Sequence, residues 1–236
     1  MKRLLARLRG HAEPRVRDDA GSWAVVDRRA IRRFERHPEN PFLVSFPRTG
    51  SHWVRMVLEL YFQRPLLTRT FFYPERTDWL LLHHHDLDLR LRRRNVIYLW
   101  RDPVDTVFSQ LAYRRESLTD PDAASHWADL YAQHLTKWLL TEDFTRRKTI
   151  VRYERLRSAG AEEFGRLVVH LGAGPDLGRL EEMLGRVTRE AVKSRTVHDP
   201  QVVNDRARYE QERQTFRTQL GPGVRATVLS QSPALK

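Results

Sequence analysis

Four short apolar runs, each ending in a cluster of polar residues, constrain the fold of this chain more than any other feature. They are "PFLVSF" (41–46), the start of "WLLLHHHDLDL" (79–89), "NVIYLW" (95–100) and "TIVRY" (149–153). Their length and their β-branched and aromatic content predict buried strands. Helical periodicity follows the first in "HWVRMVLELYF", where Trp53, Val57, Leu60 and Tyr61 form an apolar stripe. "RDPVDTVFSQLAYRR" reads as a turn and a helix, and a long helix is expected from about Asp122 to Phe144. Its apolar face would carry Trp127, Leu130, Tyr131, Leu135, Trp138 and Leu139. Further helices are expected over about 161–171 and 176–187, and over 22–37, where Trp23, Val26, Ile31 and Phe34 recur until Pro38.

Short strands alternating with helices predict an α/β fold around a parallel sheet. Ligands of such sheets sit beyond the carboxyl ends of the strands. The unusual polar residues fall at those ends: Arg48 to His52, then His83 to His85, then Arg101 with Asp102, then Tyr153. Four separate segments thus aim polar chemistry at one rim.

Composition narrows the partners. The 236 residues suit one domain over 1–236, and 40% hydrophobic content with six Trp is globular. A formal charge of +12 points to anionic partners, although an arginine-rich proteome gives the same number. With no cysteine, thiol nucleophiles, disulfides and Cys-type zinc sites are excluded. The opening "MKRLLARLRGHAEP", within a basic segment over 1–20, reads as a solvated end or a short amphipathic helix rather than a signal peptide. No run approaches the ~18 apolar residues of a membrane span, so the expectation is a soluble, cytoplasmic protein.

"FPRTGSHW" (46–53) joins the first strand to its helix. Such a turn offers backbone N–H groups and the positive helix end to an anion, with Gly50 for close approach. Thr49, Ser51 and His52 add donors and Arg48 a charged fork. The turn lacks the early glycine and the lysine of a Walker A loop, which disfavours an ATPase or GTPase. A capped turn with a solvated Arg48 satisfies the same residues. "RDPVDTVFS" sets Arg101 at a strand end and Ser109 two helical turns on, where Arg101 has Asp102 or Asp105 as alternative partners.

These stretches resemble two motifs of the sulfotransferases that use 3′-phosphoadenosine 5′-phosphosulfate (PAPS). "FPRTGSHW" is similar to the 5′-phosphosulfate loop Y/F-P-K/R-S/T-G-T/S-x-W. "RDPVDTVFS" is similar to the 3′-phosphate motif R-N/D-P-x-D-x-x-x-S. "VRYERL" and "VVHLG" resemble later elements, so that the likeness spans about 42–172. The resemblance implies a three-layer, P-loop-like α/β fold that binds PAPS as co-substrate without a metal and releases PAP. Arg48, Thr49, Gly50, Ser51 and His52 would surround the 5′-phosphosulfate, with Arg48 at the leaving phosphate. Arg101 and Ser109 would hold the 3′-phosphate, and Trp53 and Tyr153 would lie near the adenine. A histidine after the second strand would be the base: His85 aligns best, His83 shares its side of the strand, and His84 faces away.

The chain departs from the pattern at Arg48, where many members have lysine, and at His52, where a hydroxyl is usual. The C-terminal R-K-G-x-x-G loop has no counterpart. Residues 193–236 supply Lys193, Arg195, Arg206 and Arg208 as candidates to cover the nucleotide, as a lid, an acceptor-binding segment or simply a solvated terminal helix. Three consecutive histidines make a poor metal site because strand neighbours point to opposite faces. His126, His134, His170 and His198 read as helix-surface or partly buried residues. The sequence does not choose the acceptor, which could be a small molecule, sugar or lipid with a hydroxyl or amine; "TRTFFYPERTDW" and "SHWADLYAQH" are candidate pocket walls, and core packing explains both as well. A homodimer is left open. The alternative is a basic nucleic-acid- or nucleotide-binding protein without catalysis, which is disfavoured by the lack of any helix-turn-helix, RRM or zinc-finger pattern.

Overall fold

In the computed structural model of the chain, residues 16–17, 23–24, 28–141, 145–196 and 205–232 are described. The basic segment 1–15, Val26, Phe144 and His198 lie outside them. The elements run β1 (Val16–Arg17), β2 (Trp23–Ala24), α1 (Arg28–Arg36), β3 (Phe42–Ser45), α2 (Ser51–Phe62), β4 (Arg69–Thr70), β5 (Leu82–His84) and β6 (Asn95–Trp100). Then come α3 (Pro103–Arg114), α4 (Pro121–Leu135) with a π-helical turn (Thr136–Leu140), β7 (Arg147–Arg152), α5 (Tyr153–Ser158) and α6 (Gly160–His170). The last four helices are α7 (Leu177–Arg186), α8 (Arg189–Ser194), α9 (Arg206–Gln219) and α10 (Gly221–Gln231).

Three of the apolar runs and a strand shifted along the fourth form one sheet in the order β5-β3-β6-β7, with every neighbouring pair parallel; β5 takes Leu82 with His83 and His84 rather than the apolar residues 79–81 before them. Alternation along the strands divides the core in two. Phe42, Val44, Val96 and Tyr98 pack against Phe34 of α1, Val107 and Phe108 of α3, Tyr131 of α4 and Phe216 of α9. Leu43, Ile97, Leu99 and Val151 face the opposite way, onto Val57 of α2, Phe164 and Leu167 of α6 and Leu180 of α7. Helices therefore cover both faces, giving the expected three-layer α/β architecture with a central parallel sheet.

Three expectations change. The helix over 22–37 begins only at Arg28, because Trp23 and Ala24 pair antiparallel with both β1 and β4 in a small second sheet. Strand pairing on both sides takes up backbone groups that local periodicity assigns to a helix. The helical face of α4 is also narrower than expected: Tyr131, Leu135 and Trp138 are buried, but Leu130 is among the exposed large side chains. His134 and His170, expected at a helix surface or partly buried, are both buried and hydrogen-bonded. Among the described residues no helix is long and apolar enough to cross a membrane.

Candidate active site

The carboxyl ends of β3, β5 and β6 open onto a cleft of about 1100 Å³. Ten of its lining side chains are arginine or lysine and two are glutamate, which makes it an anion-binding cleft by charge. Arg48, Gly50, Ser51, His52, Trp53, His83, His85, Arg101, Ser109 and Tyr153, the residues singled out in the sequence, all line it. Thr49 does not: its side chain is buried, and Oγ1 donates to the Phe46 carbonyl at 2.9 Å.

The turn at 47–50 is shaped by backbone geometry. Arg48 has φ 70° and Gly50 has φ 95°, both left-handed, and α2 starts at Ser51 without a side-chain cap on Gly50. The first turn of such a helix presents its N–H groups to a ligand. A Cβ at Gly50 would stand 2.5 Å from Cε2 of Tyr153, so the glycine is required twice. The Tyr153 ring is held in turn by an edge contact to Trp53 and by the Arg101 guanidinium 5.0 Å from its centre. Gly50→Ala is therefore expected to cost roughly 1–3 kcal/mol of stability, read as a lower urea midpoint.

Arg101 is fixed from several directions. The Tyr131 hydroxyl donates to its carbonyl at 2.8 Å and accepts from its N–H at 3.0 Å. Its guanidinium donates to the Arg48 carbonyl at 3.2 Å and lies 3.6 Å from Asp105 Oδ2, while Nε is buried without a hydrogen-bond partner. Asp102 caps α3 by accepting from the Asp105 N–H, and Pro103 occupies the first turn, which brings Ser109 and Gln110 to the cleft. Asp105 also receives paired hydrogen bonds from Arg213 and Arg217 of α9. Burial raises its carboxyl, but the bonds from Arg213 and Arg217 prevail and hold it below the ordinary 3.8.

The histidines separate by strand alternation. His84 points away and pairs with Asp86 at 2.7 Å. His83 and His85 lie on the cleft side, ring centres 4.9 Å apart. His85 Nδ1 is 2.8 Å from the Ser45 carbonyl, which can only accept, so Nδ1 carries the proton and Nε2 of the neutral ring is the basic atom. His83 Nε2 is already engaged with Ser45 Oγ at 3.0 Å. Burial lowers both rings, the His83 ring furthest; the Arg55 charge lowers both further, while the Ser45 carbonyl partly restores His85. Behind His85, the buried His134 donates from Nε2 to the His85 carbonyl at 2.7 Å, and the Tyr98 hydroxyl donates to its Nδ1 at 3.0 Å.

Of the C-terminal candidates, Lys193 and Arg206 line the cleft. Arg195 instead donates to the Phe71 carbonyl and lies over the Phe72 ring, and Arg208 pairs with Glu212. Thr68 and Arg69 bring the "TRTFFYPERTDW" segment into the wall, whereas α4 contributes no lining residue and packs behind the sheet. The sequence reading missed Ser45, Tyr131, His134 and Arg213, whose parts depend on tertiary contacts. For Asp105 a signal was present, because it fills the aspartate position of "RDPVDTVFS".

No family model and no curated protein matches the sequence. The structure is similar to that of mouse sulfotransferase SULT7A1 complexed with PAP, with a TM-score of 0.58 and 14% identity over 89% of this chain and 91% of that one. A retinol dehydratase complexed with androsterone and the inactive cofactor PAP aligns with a TM-score of 0.48 and 10% identity, over 85% of this chain and 87% of that one. The parallel β5-β3-β6-β7 sheet between its two helical layers is the sulfotransferase fold.

Proposed function

We propose that the chain transfers a sulfonyl group from PAPS to a hydroxyl or amine of a small-molecule, sugar or lipid acceptor, releasing PAP. The observation that carries this reading is the convergence, in a sulfotransferase fold, of the 47–53 turn, the Arg101–Ser109 face and His85 on one cationic cleft. The residues fit the nucleotide. Gly50 lets the Tyr153 ring lie against the turn, where a Cβ would meet it at 2.5 Å, Arg101 has a buried Nε to offer, and Trp53 and Tyr153 present aromatic surface for a base.

In this reading Arg48, Gly50, Ser51 and His52 hold the 5′-phosphosulfate, with the Thr49 backbone among them, and Arg101 with Ser109 holds the 3′-phosphate. Bound PAPS supplies the sulfonyl group. The acceptor oxygen forms a new bond to sulfur as the bond from sulfur to the 5′-phosphate oxygen breaks, and that oxygen keeps the electron pair. His85 Nε2 takes the acceptor's proton, and Arg48 meets the charge left on the phosphate. Arginine suits that task as a fixed cation rather than as a proton donor. The helices α8 and α9 close one wall of the cleft through Lys193, Arg206, Tyr209 and Arg213, the place proposed for a lid.

Calorimetric titration with adenosine 3′,5′-bisphosphate, beside ADP and a short oligonucleotide, tests the donor site. The bisphosphate is expected to bind well above ADP, and Arg101→Ala to weaken it by roughly 10- to 100-fold, the scale of hydrogen bonds to a charged group. Salt-dependent oligonucleotide binding with no response to the bisphosphate would replace transfer by nucleic-acid binding.

A further inference from the structure

Cations line the cleft from α2 to α9, whereas its leucine and valine side chains come from a single cluster. Its apolar side chains Trp53, Tyr153, Leu184, Val187 and Val192 belong to one cluster with α2, α6 and α7, and make a wall beside Gly50. The histidine side is built differently. Arg55 is buried at 3% exposure, and its guanidinium donates to the Arg69 carbonyl at 2.9 Å. The Arg69 guanidinium lies 3.3 Å from His52 Nε2, which must accept because arginine only donates. Arg48, 4.6 Å over the Tyr113 ring, completes this wall, and Arg55 and Arg69 both line the cleft with it.

The carboxylates lie elsewhere. Among the described lining residues the two glutamates, Glu190 and Glu210, stand on α8 and α9. Glu59, whose charge reaches Arg55, lies outside the lining and accepts from the backbone N–H groups of Phe71, Phe72 and Tyr73. A neutral phenol or sterol is served by aliphatic and aromatic walls near the base, and here the aromatic element of that wall, Tyr113, lies under the Arg48 guanidinium and is joined by Arg55, Arg69 and His52. The arrangement also works against a base, since nearby cations disfavour protonation of His85. A negative charge on the acceptor offsets that opposition at the moment the proton moves.

Resting on the sulfonyl-transfer reading, we infer that the acceptor carries an anionic group, a carboxylate, sulfate or phosphate, close to the hydroxyl that is sulfonated. Arg69, with Arg55 behind it, selects for that charge. Acidic sugars and carboxylated phenols belong to this class, and neutral sterols and simple phenols fall outside it. Arg69 reads the charge and takes no part in the transfer itself, so its loss removes the selectivity; because it also bonds His52, the variant is compared with the donor site saturated.

The test uses the full chain loaded with PAP, so that the donor site is filled, and matched probes that differ in charge. These are 4-hydroxybenzoate against 4-hydroxybenzamide, and methyl glucuronide against methyl glucoside, each titrated calorimetrically. In at least one pair the anion is expected to bind about tenfold tighter or better, the scale of one charge-assisted contact. At saturating PAP, Arg69→Gln is expected to bring that ratio to within about twofold, and Arg69→Lys to restore part of it. Equal or tighter binding of the neutral probes, no binding of any probe to the PAP-loaded chain, or a ratio untouched by Arg69→Gln overturns the inference and leaves sulfonyl transfer standing. Failure of the chain to bind PAP removes both.

Discussion

Replacing His85 by asparagine is expected to lower turnover by about 10²- to 10⁴-fold while leaving adenosine 3′,5′-bisphosphate affinity within about twofold. Asparagine keeps a donor for the Ser45 carbonyl, where Nδ1 now sits at 2.8 Å, and removes only the basic Nε2. His83→Asn should cost less, because its Nε2 is tied to Ser45 Oγ and burial holds that ring further from protonation. The pH profile gives a second readout. Burial lowers His85 below the ordinary 6.5, so the base is unprotonated at neutral pH. The rate should therefore rise with pH along an acid limb whose midpoint lies below 6.5, then level off, and the variant should lose that limb. Transfer by His85→Asn at the wild-type rate would move the base to another group and leave the donor site unaffected.

The sheet was legible because buried parallel strands are written as continuous apolar runs: "NVIYLW" is β6 residue for residue. The rim was legible for a related reason. Arg48, His85, Arg101 and Tyr153 fall within three residues after such runs, and the topology carries every strand end to the same side. The small sheet was not legible, since β1, β2 and β4 are two residues long and their pairing is set by partners more than 40 residues apart in the case of Trp23 and Thr70. His134 illustrates the other limit. Periodicity places it on α4, but its two hydrogen bonds depend on Tyr98 and on the chain after β5. Arg213 is the same case, a charge on a polar helix until α9 docks on α3. Sequence spacing reports what a strand or helix presents, and a site assembled from several elements also depends on how they pack.

Asp105→Asn is expected to produce the largest loss of stability among single polar substitutions at the site, about 3 kcal/mol. The carboxylate is 5% exposed and joins three arginines: Arg213 at 23% exposure, Arg217 at 39%, and Arg101 within 3.6 Å. Breaking a buried ion pair by removing one partner strands the charge that remains. Here that cost is set at the lower end because Arg217 reaches water and is screened. Asp105 is held below the ordinary 3.8, so its contribution is present above that value and is lost as the pH falls through its folded pKa. Urea denaturation should show a wide gap between wild type and Asp105→Asn at neutral pH, and that gap should close below pH 3.8. A gap independent of pH would make Asp105 a packing residue. The same carboxylate steadies Arg101 and docks α9, which carries Arg206, Tyr209 and Arg213 to the cleft. The variant should therefore also bind adenosine 3′,5′-bisphosphate more weakly, even at temperatures where it remains folded. Arg217→Ala, which removes one arm of the α9 docking and no lining residue, should lower stability by less and leave that affinity nearer wild type. The carboxylate therefore links the stability of the C-terminal helices to the proposed donor site.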